Sequence, residues 1–181
     1  MRLSKPRIPP LPEAEWSDEQ RDLLTRGRSD VKVLNVFGTL VRHTDLYKRW
    51  LPFGTQILFK STLPPREREL LILRIGHRCN AKYEFHHHVA IGKQAGLTDE
   101  DIQSIQHGPA SPHWTEFDRL LISAVDELHH DAFISDATWD ELTKRYNTNQ
   151  MFDLVFTVGQ YTMVSMALNS FGVQLESGNG L

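Results

Sequence analysis

The chain of 181 residues has a single cysteine, Cys79. No disulfide can form within it, and a dithiol centre of the Cys-x-x-Cys type is excluded. An excess of basic charge is also missing. Twenty Lys and Arg stand against 23 Asp and Glu, giving a formal net charge of -3 and a pI near 6.3. Nucleic-acid and membrane-surface partners are therefore not expected. The first residues, MRLSKPRIPPLPEAEW, lack the apolar core of a signal peptide. The most apolar segment, Met151 to Leu168, is interrupted by Asp153, Gly159, Gln160, Thr162 and Ser165. It reads as a buried or interface helix rather than a membrane span. With one cysteine and no leader, the expected location is cytoplasmic. No segment keeps a period of two, and there is no internal repeat, so an all-α single domain is expected. The length suits one full hydrophobic core.

What the chain does contain begins with proline. Pro6, Pro9, Pro10 and Pro12 fall within the first twelve residues, and proline cannot propagate a helix. Residues 1–16 are thus expected to form an extended strap over the domain or over a neighbouring subunit. Residues 17–172 form the helical domain and 173–181 a tail. Ser17 and Gln20 make a capping box for a first helix ending at Gly27. Further helices are expected over Val33 to His43 and from Thr44 onward, where Pro52 should bend or break the element. A central helix starts at Pro64 and Pro65 and runs to about Arg78. The next runs from beyond Cys79 and Asn80 to Gln94, before Gly96. Others are expected from Thr98 to His107, from Thr115 to His130 and from Ser135 to Tyr146, with a last one from Asn149 to Gly172. GPASPHW (108–114) reads as a loop.

The two helices on either side of Cys79 carry the chemistry. On the second, Glu84, His87, His88, Ile91 and Ala95 follow the i, i+3, i+4 rule and share one stripe. Glu84 and His88 lie one turn apart. His86 points away by at least about 100°, so the three histidines cannot all converge. On the preceding helix the matching stripe is Glu69, Ile72, Leu73 and Gly76, with Gly76 allowing close approach. The run LLILRI is apolar nearly all round, which makes this helix central and a carboxylate on it costly unless paired. Two carboxylates with one or two imidazoles form a general acid/base set, and burial would tune them toward neutral pH. The same donors, Glu69, Glu84 and His88, could instead bind one divalent transition metal. The bland reading is an exposed Glu69 beside Arg66 and Arg68 and a surface Glu84–His88 pair. His43, His129 and His130 read as cations at helix C-termini. His77, His107 and His113 read as exposed, and Cys79 as structural. Trp50, Phe53, Phe59, Trp114, Phe117 and Trp139 read as core, with some available to line a pocket for an apolar substrate.

Residues 63 to 106 resemble the carboxymuconolactone decarboxylase family, within the superfamily that also holds the AhpD-type alkylhydroperoxidases. RIPPLPEAEW, VLNVFGTLVRH, LPFGTQIL, DELHHDAFISDATWDEL and VGQYTMVSMALNSFGVQLE extend the resemblance over nearly the whole chain. The redox branch has Glu, then twelve residues on Cys-x-x-Cys, then x-x-x-His. Here these positions hold Glu69, Ala81, Glu84 and His88. Both cysteines are gone, and Cys79 lies two positions too early to replace one. The resemblance implies an AhpD-like helical bundle assembling as a dimer, trimer or hexamer, with pockets near subunit contacts. It also implies a cofactor-independent lyase or decarboxylase acting on a small lactone, carboxylic acid or aromatic-derived compound. His88, Glu84, Glu69 and His87 would be its catalytic residues. A metal-dependent hydrolase, lyase or oxygenase and a non-catalytic interaction protein are the alternatives. A dianionic substrate would want a basic partner, and Arg74 and Arg78 are the nearest in sequence.

Overall fold

The computed structural model describes residues 1–28 and 30–176, and among these there are nine α-helices and no strand. They are α1 (Asp18–Thr25), α2 (Asn35–Leu40), α3 (Thr44–Phe59), α4 (Pro65–Arg78), α5 (Lys82–Gln94), α6 (Asp99–Ser104), α7 (Glu116–Asp131), α8 (Asp136–Thr143) and α9 (Thr148–Phe171). Short 3₁₀ turns cover Glu13–Glu15 and Ile105–Ala110. The second of these takes up the first part of the expected 108–114 loop.

The all-round apolar run of α4 does what its pattern dictates. Leu70, Leu71, Ile72, Leu73 and Ile75 have no exposed surface. α4 is the hub, packed against α5, α7 and α9. Truncating any one of these side chains to alanine would cost about 2–5 kcal/mol. Pro65 sits at the first position of α4, where a missing N–H is harmless. α4 ends at Cys79, and Asn80 turns the chain with a positive φ of 50°. That turn lays α5 back along α4. The close approach is made at Gly92, where an added Cβ would stand 2.9 Å from Leu97 and 3.3 Å from Leu73. Gly76 is less critical, since a Cβ there would meet Glu84 and Phe85 at 3.8 Å, an ordinary contact.

Several helix boundaries depart from the expectation. α2 spans only Asn35–Leu40 of the expected Val33–His43, and α6 ends at Ser104, where a 3₁₀ turn takes over before His107. α3 continues through Pro52 to Phe59 without a break. His43 caps the start of α3, its ring nitrogen accepting from the Leu46 N–H, so it serves as an acceptor rather than a C-terminal cation. α9 opens at Asn147 rather than Asn149, because Gln150 stands three residues on and completes a reciprocal capping box.

The strap lies over its own domain. Arg7 and Ile8 donate backbone N–H groups to the Phe171 carbonyl, and Leu11 donates to Gly38. Gly38 admits Pro10, which an added Cβ would meet at 3.1 Å. The chain after Gly172 also folds back, with the Gln174 carbonyl accepting from the Asn35 side chain. Residues 177–181 of the expected tail lie outside the described residues. α9 is long and apolar enough to cross a membrane, but half of its most apolar window is buried in the domain.

The six aromatics expected in the core divide. Trp114 is buried and Trp50 and Phe117 are half-buried. Phe53, Phe59 and Trp139 are exposed, because the outward faces of α3 and α8 carry them.

Candidate active site

α4 and α5 bring Glu69, Glu84 and His88 together. All three are buried, and Glu69 has no exposed surface. His88 Nδ1 lies 2.7 Å from Glu69 Oε2, and His88 Nε2 lies 2.9 Å from Glu84 Oε1. One imidazole is thus held between two carboxylates, one from its own helix a turn back and one from the neighbouring helix. Arg68 closes the set from behind. Its Nε and Nη2 donate to Glu69 Oε1 at 3.1 and 3.0 Å. The exposed-carboxylate reading fails: Glu69 faces inward, and Arg66 pairs instead with Asp101 and Asp118.

Charge balance explains why four ionisable groups can be buried together. Two carboxylates face one imidazolium and one guanidinium. Burial alone would pull the His88 pKa down. Hydrogen bonding and charge from Glu69 and Glu84 outweigh it and hold the imidazole at about 9. His88 therefore carries its proton at neutral pH. The two carboxylates are not equivalent. Glu69 has both oxygens engaged, by Arg68 and His88, whereas His88 engages only Oε1 of Glu84. Tyr161 of α9 sets its ring edge-on to His88, with centroids 5.0 Å apart. Burial, then the charges of Glu84 and Glu69, push its phenol well above the usual range, so it stays a neutral hydroxyl.

His87 is buried as well but belongs to a second cluster. Its ring lies tilted at 47° against Tyr83, with centroids 4.5 Å apart, and its Nε2 comes within 2.9 Å of Glu176 Oε2, without the alignment of a hydrogen bond. Glu176 Oε1 accepts from the Tyr83 hydroxyl at 2.6 Å and from the Asn35 N–H at 2.8 Å. The i, i+1 relation places the two rings about 100° apart on α5, so only His88 reaches Glu69. His86 is exposed, as the helix phase requires.

The sequence reading missed Arg68 as the partner of Glu69, Tyr161, and the Tyr83–Glu176 pair. Arg68 was visible only as a neighbour in sequence. Glu176 is 93 residues from Tyr83, and no local pattern announces it. The two arginines named as possible anion binders are spent elsewhere. Arg74 forms a two-pronged pair with Asp126 at 2.8 and 2.7 Å, and Arg78 approaches the same carboxylate at 3.5 Å. Cys79 caps α4, with His129 Nδ1 4.0 Å from its sulfur. Burial raises its thiol pKa against the pull of Ser165 and nearby arginines, which leaves it a poor nucleophile.

Among the described residues no group of three or more His, Cys, Asp and Glu is arranged to hold a metal ion. At His88 both ring nitrogens face carboxylates.

The structure is thus a helical bundle that holds a buried imidazole between two carboxylates and carries no thiol pair. Residues 44–121, from the start of α3 into α7, match the carboxymuconolactone decarboxylase family. The fold is similar to that of a peroxidase-related protein with an alkylhydroperoxidase AhpD core from Ralstonia eutropha JMP134. That structure has a TM-score of 0.81 and 16% identity, covering 93% of each chain. A peroxidase-related protein from Silicibacter sp. TM1040 has a TM-score of 0.80 at 14% identity, covering 97% of this chain and 96% of that one. A cysteine-to-alanine variant of the debrominase Bmp8, in complex with 2,3,4-tribromopyrrole, has a TM-score of 0.77 at 12% identity, covering 96% and 94%. At these identities the likeness is one of fold. No curated protein matches the chain. The match over residues 44–121 and the AhpD-like fold support a place in the carboxymuconolactone decarboxylase/AhpD-like family, and the chain lacks the cysteine pair of the redox branch.

Proposed function

We propose that the protein is a cofactor-independent lyase that moves protons through Glu84 and His88 on a small lactone or aromatic-derived compound. One observation carries this reading: His88 is a buried imidazole set between two carboxylates, 2.7 Å from Glu69 and 2.9 Å from Glu84. Glu69, fixed by Arg68, anchors the ring and balances its charge. Glu84, with one oxygen uncommitted to His88, is the group that meets the substrate. The bond from a substrate carbon to its carboxylate breaks, CO2 leaves, and the electron pair stays with the carbon and spreads into an adjacent carbonyl. His88 passes its Nε2 proton to Glu84, which turns and delivers it to that carbon. His88 then regains a proton from water. Proton transfer of this kind contributes typically about 10²–10⁴-fold. Because Arg68, Arg74 and Arg78 are all paired with carboxylates, the reading favours a substrate without two negative charges. The tribromopyrrole complex of the debrominase supports the capacity of this fold to take a small flat ring.

The test is turnover by chelator-treated, untagged protein on a panel of lactones and hydroxylated aromatic acids, with CO2 release and deuterium uptake from D2O as readouts. Activity should survive chelation, fall at least about 10²-fold in His88→Gln and in Glu84→Gln, and remain within about tenfold in His87→Gln, whose side chain does not touch the set. Activity restored only by an added divalent metal, or unaffected by His88→Gln, would overturn the reading.

Self-association is part of the same proposal. Phe53 and Phe59 of α3 and Phe152, Phe156, Met163 and Met166 of α9 form an exposed apolar face. Phe152 and Phe156 stack with centroids 6.2 Å apart, and Phe53 packs edge-on to Phe156. A face of this kind is usually covered by a partner, and a second copy of the chain is the partner proposed. Light scattering should give an oligomer that Phe156→Glu dissociates; a monomeric wild type would refute it.

A further inference from the structure

His87 belongs to a cluster of buried titratable side chains that the acid/base set does not use. Its Nε2 is sealed from water and bonds no group among the described residues, although Glu176 Oε2 stands only 2.9 Å away. Buried polar atoms are seldom left in that state without a reason. The carboxylate it faces is otherwise well used. Glu176 Oε1 accepts from the Tyr83 hydroxyl at 2.6 Å and from the Asn35 N–H at 2.8 Å, which leaves Oε2 to His87. Against burial, these donors hold Glu176 below the usual carboxylate range, so it keeps its charge where histidines titrate.

Glu176 also pins a larger joint. The Tyr83 hydroxyl that donates to it accepts from the Val36 N–H at 3.3 Å. Gln174, two residues earlier, accepts from the Asn35 side chain, and its own amide donates to the Leu3 carbonyl of the strap at 3.0 Å. Arg7 and Ile8 of the strap bond in turn to Phe171 at the end of α9. The strap and the return after α9 thus meet over α2 and α5, and whatever loosens Glu176 loosens both. Beneath them Val173 packs in one cluster with Val36, Val164 and Leu168.

We infer that His87 and Glu176 form a pH-sensitive clasp, in which a proton taken up by His87 draws Glu176 in and tightens the return and the strap onto α2 and α5, and its loss loosens them. A positive charge 2.9 Å from a carboxylate attracts it whether or not a hydrogen bond is aligned, and burial strengthens the attraction. The neutral ring leaves Nε2 unpartnered beside that carboxylate. The titratable neighbours do not supply the switch. Tyr83, one turn back on α5, is kept neutral by burial and then by Glu176. His86 is exposed, with its ring edge-on at 5.5 Å. Glu84 and His88 face each other. From α2 comes the uncharged Asn35, and from the strap Met1 packs into the same cluster. Nothing in this depends on the acid/base reading.

The experiment is amide hydrogen exchange followed by NMR on the full chain, at about pH 5.5 and about pH 8. It is read at Asn35 and Val36, whose N–H groups end on Glu176 and Tyr83. Protection, corrected for the intrinsic exchange rate, should be about tenfold higher at the lower pH, the scale of one bond to a charged group. In His87→Gln it should be equal at both. The His88 set stays in place in that variant, so a response arising there would persist and count against the clasp. Glu176→Gln should lower the protection at the lower pH and abolish the response. If His87→Gln does not fold, the wild-type ring decides: the NMR titration of His87 should share its midpoint with the change at Asn35. Equal protection at both pH values in the wild type, a response surviving in His87→Gln, or two different midpoints would overturn the inference.

Discussion

His87 and His88 are consecutive, lie on one helix and are buried to the same degree, with 7% and 5% of their surface exposed. Their surroundings differ completely. His88 points at α4, where Glu69 hydrogen-bonds its Nδ1 at 2.7 Å and Arg68 balances the charge, while Glu84 of its own helix lies 2.9 Å from its Nε2. His87 points at the chain's return after α9, where a tyrosine ring covers it and Glu176 lies within 2.9 Å without hydrogen-bond alignment. A rotation of about 100° separates a proton-bearing group in the core from a packing group at a chain terminus. The chemistry of a histidine on a buried helix is thus set by helix phase and by what the facing element carries, more than by burial.

The largest physical consequence is in the pH dependence of stability. His88 titrates at about 9 in the folded protein against an ordinary value of 6.5. A raised pKa of this sign means the folded state holds the proton more tightly. The stabilisation is fully present below about pH 6.5 and is lost as pH rises through about 9. It amounts to roughly 3 kcal/mol. Burial, which opposes it, is already included in that balance. Urea unfolding of the wild type between pH 6.5 and 9.5 should show the loss, and His88→Gln should not. His77 and His129, whose pKa values burial lowers, push the other way near pH 6 and are common to both proteins. Parallel curves for the two proteins would mean that His88 is not clamped as described. The same titration should make proton delivery fail above about pH 9, when His88 is empty.

Much of the His88 side of this contrast was legible in the sequence. Proline at the start of α4, the glycine after α5 and the spacing of Glu69, Glu84 and His88 are local signals, and each set its element within a residue or two. The pairing of the two stripes rested on Gly76 allowing close approach, whereas the tight contact is made at Gly92. The His87 side was illegible for the opposite reason. Its partner Glu176 arrives from the end of the chain, and its backbone anchors are on α2, 141 residues away. The exposed aromatics were misplaced because Phe59 and Trp139 look the same in composition whether a neighbour covers them or not. The start of α9 offered two asparagines, and only the reciprocal bond with Gln150 distinguishes Asn147.

A smaller effect would sharpen the comparison from the His87 side. Glu176 accepts from the Tyr83 hydroxyl and the Asn35 N–H, and these bonds close the chain's return over α2 and α5. Burial would raise its pKa, but these two donors and His87 outweigh that and hold it below the usual carboxylate range. A depressed pKa stabilises the fold above the unfolded value, and the benefit disappears as pH falls through the carboxylate range. Glu176→Gln keeps the shape and removes the charge. It should cost about 2 kcal/mol at pH 7, with the gap to wild type narrowing as pH falls through the carboxylate range, while turnover through Glu84 and His88 stays within a few-fold. The ring of His87 would lose its nearby charge and keep its tilted contact with Tyr83. A Glu176→Gln protein that lost turnover as fully as His88→Gln would show the two clusters to be one site, and the division drawn between the adjacent histidines would have to be given up.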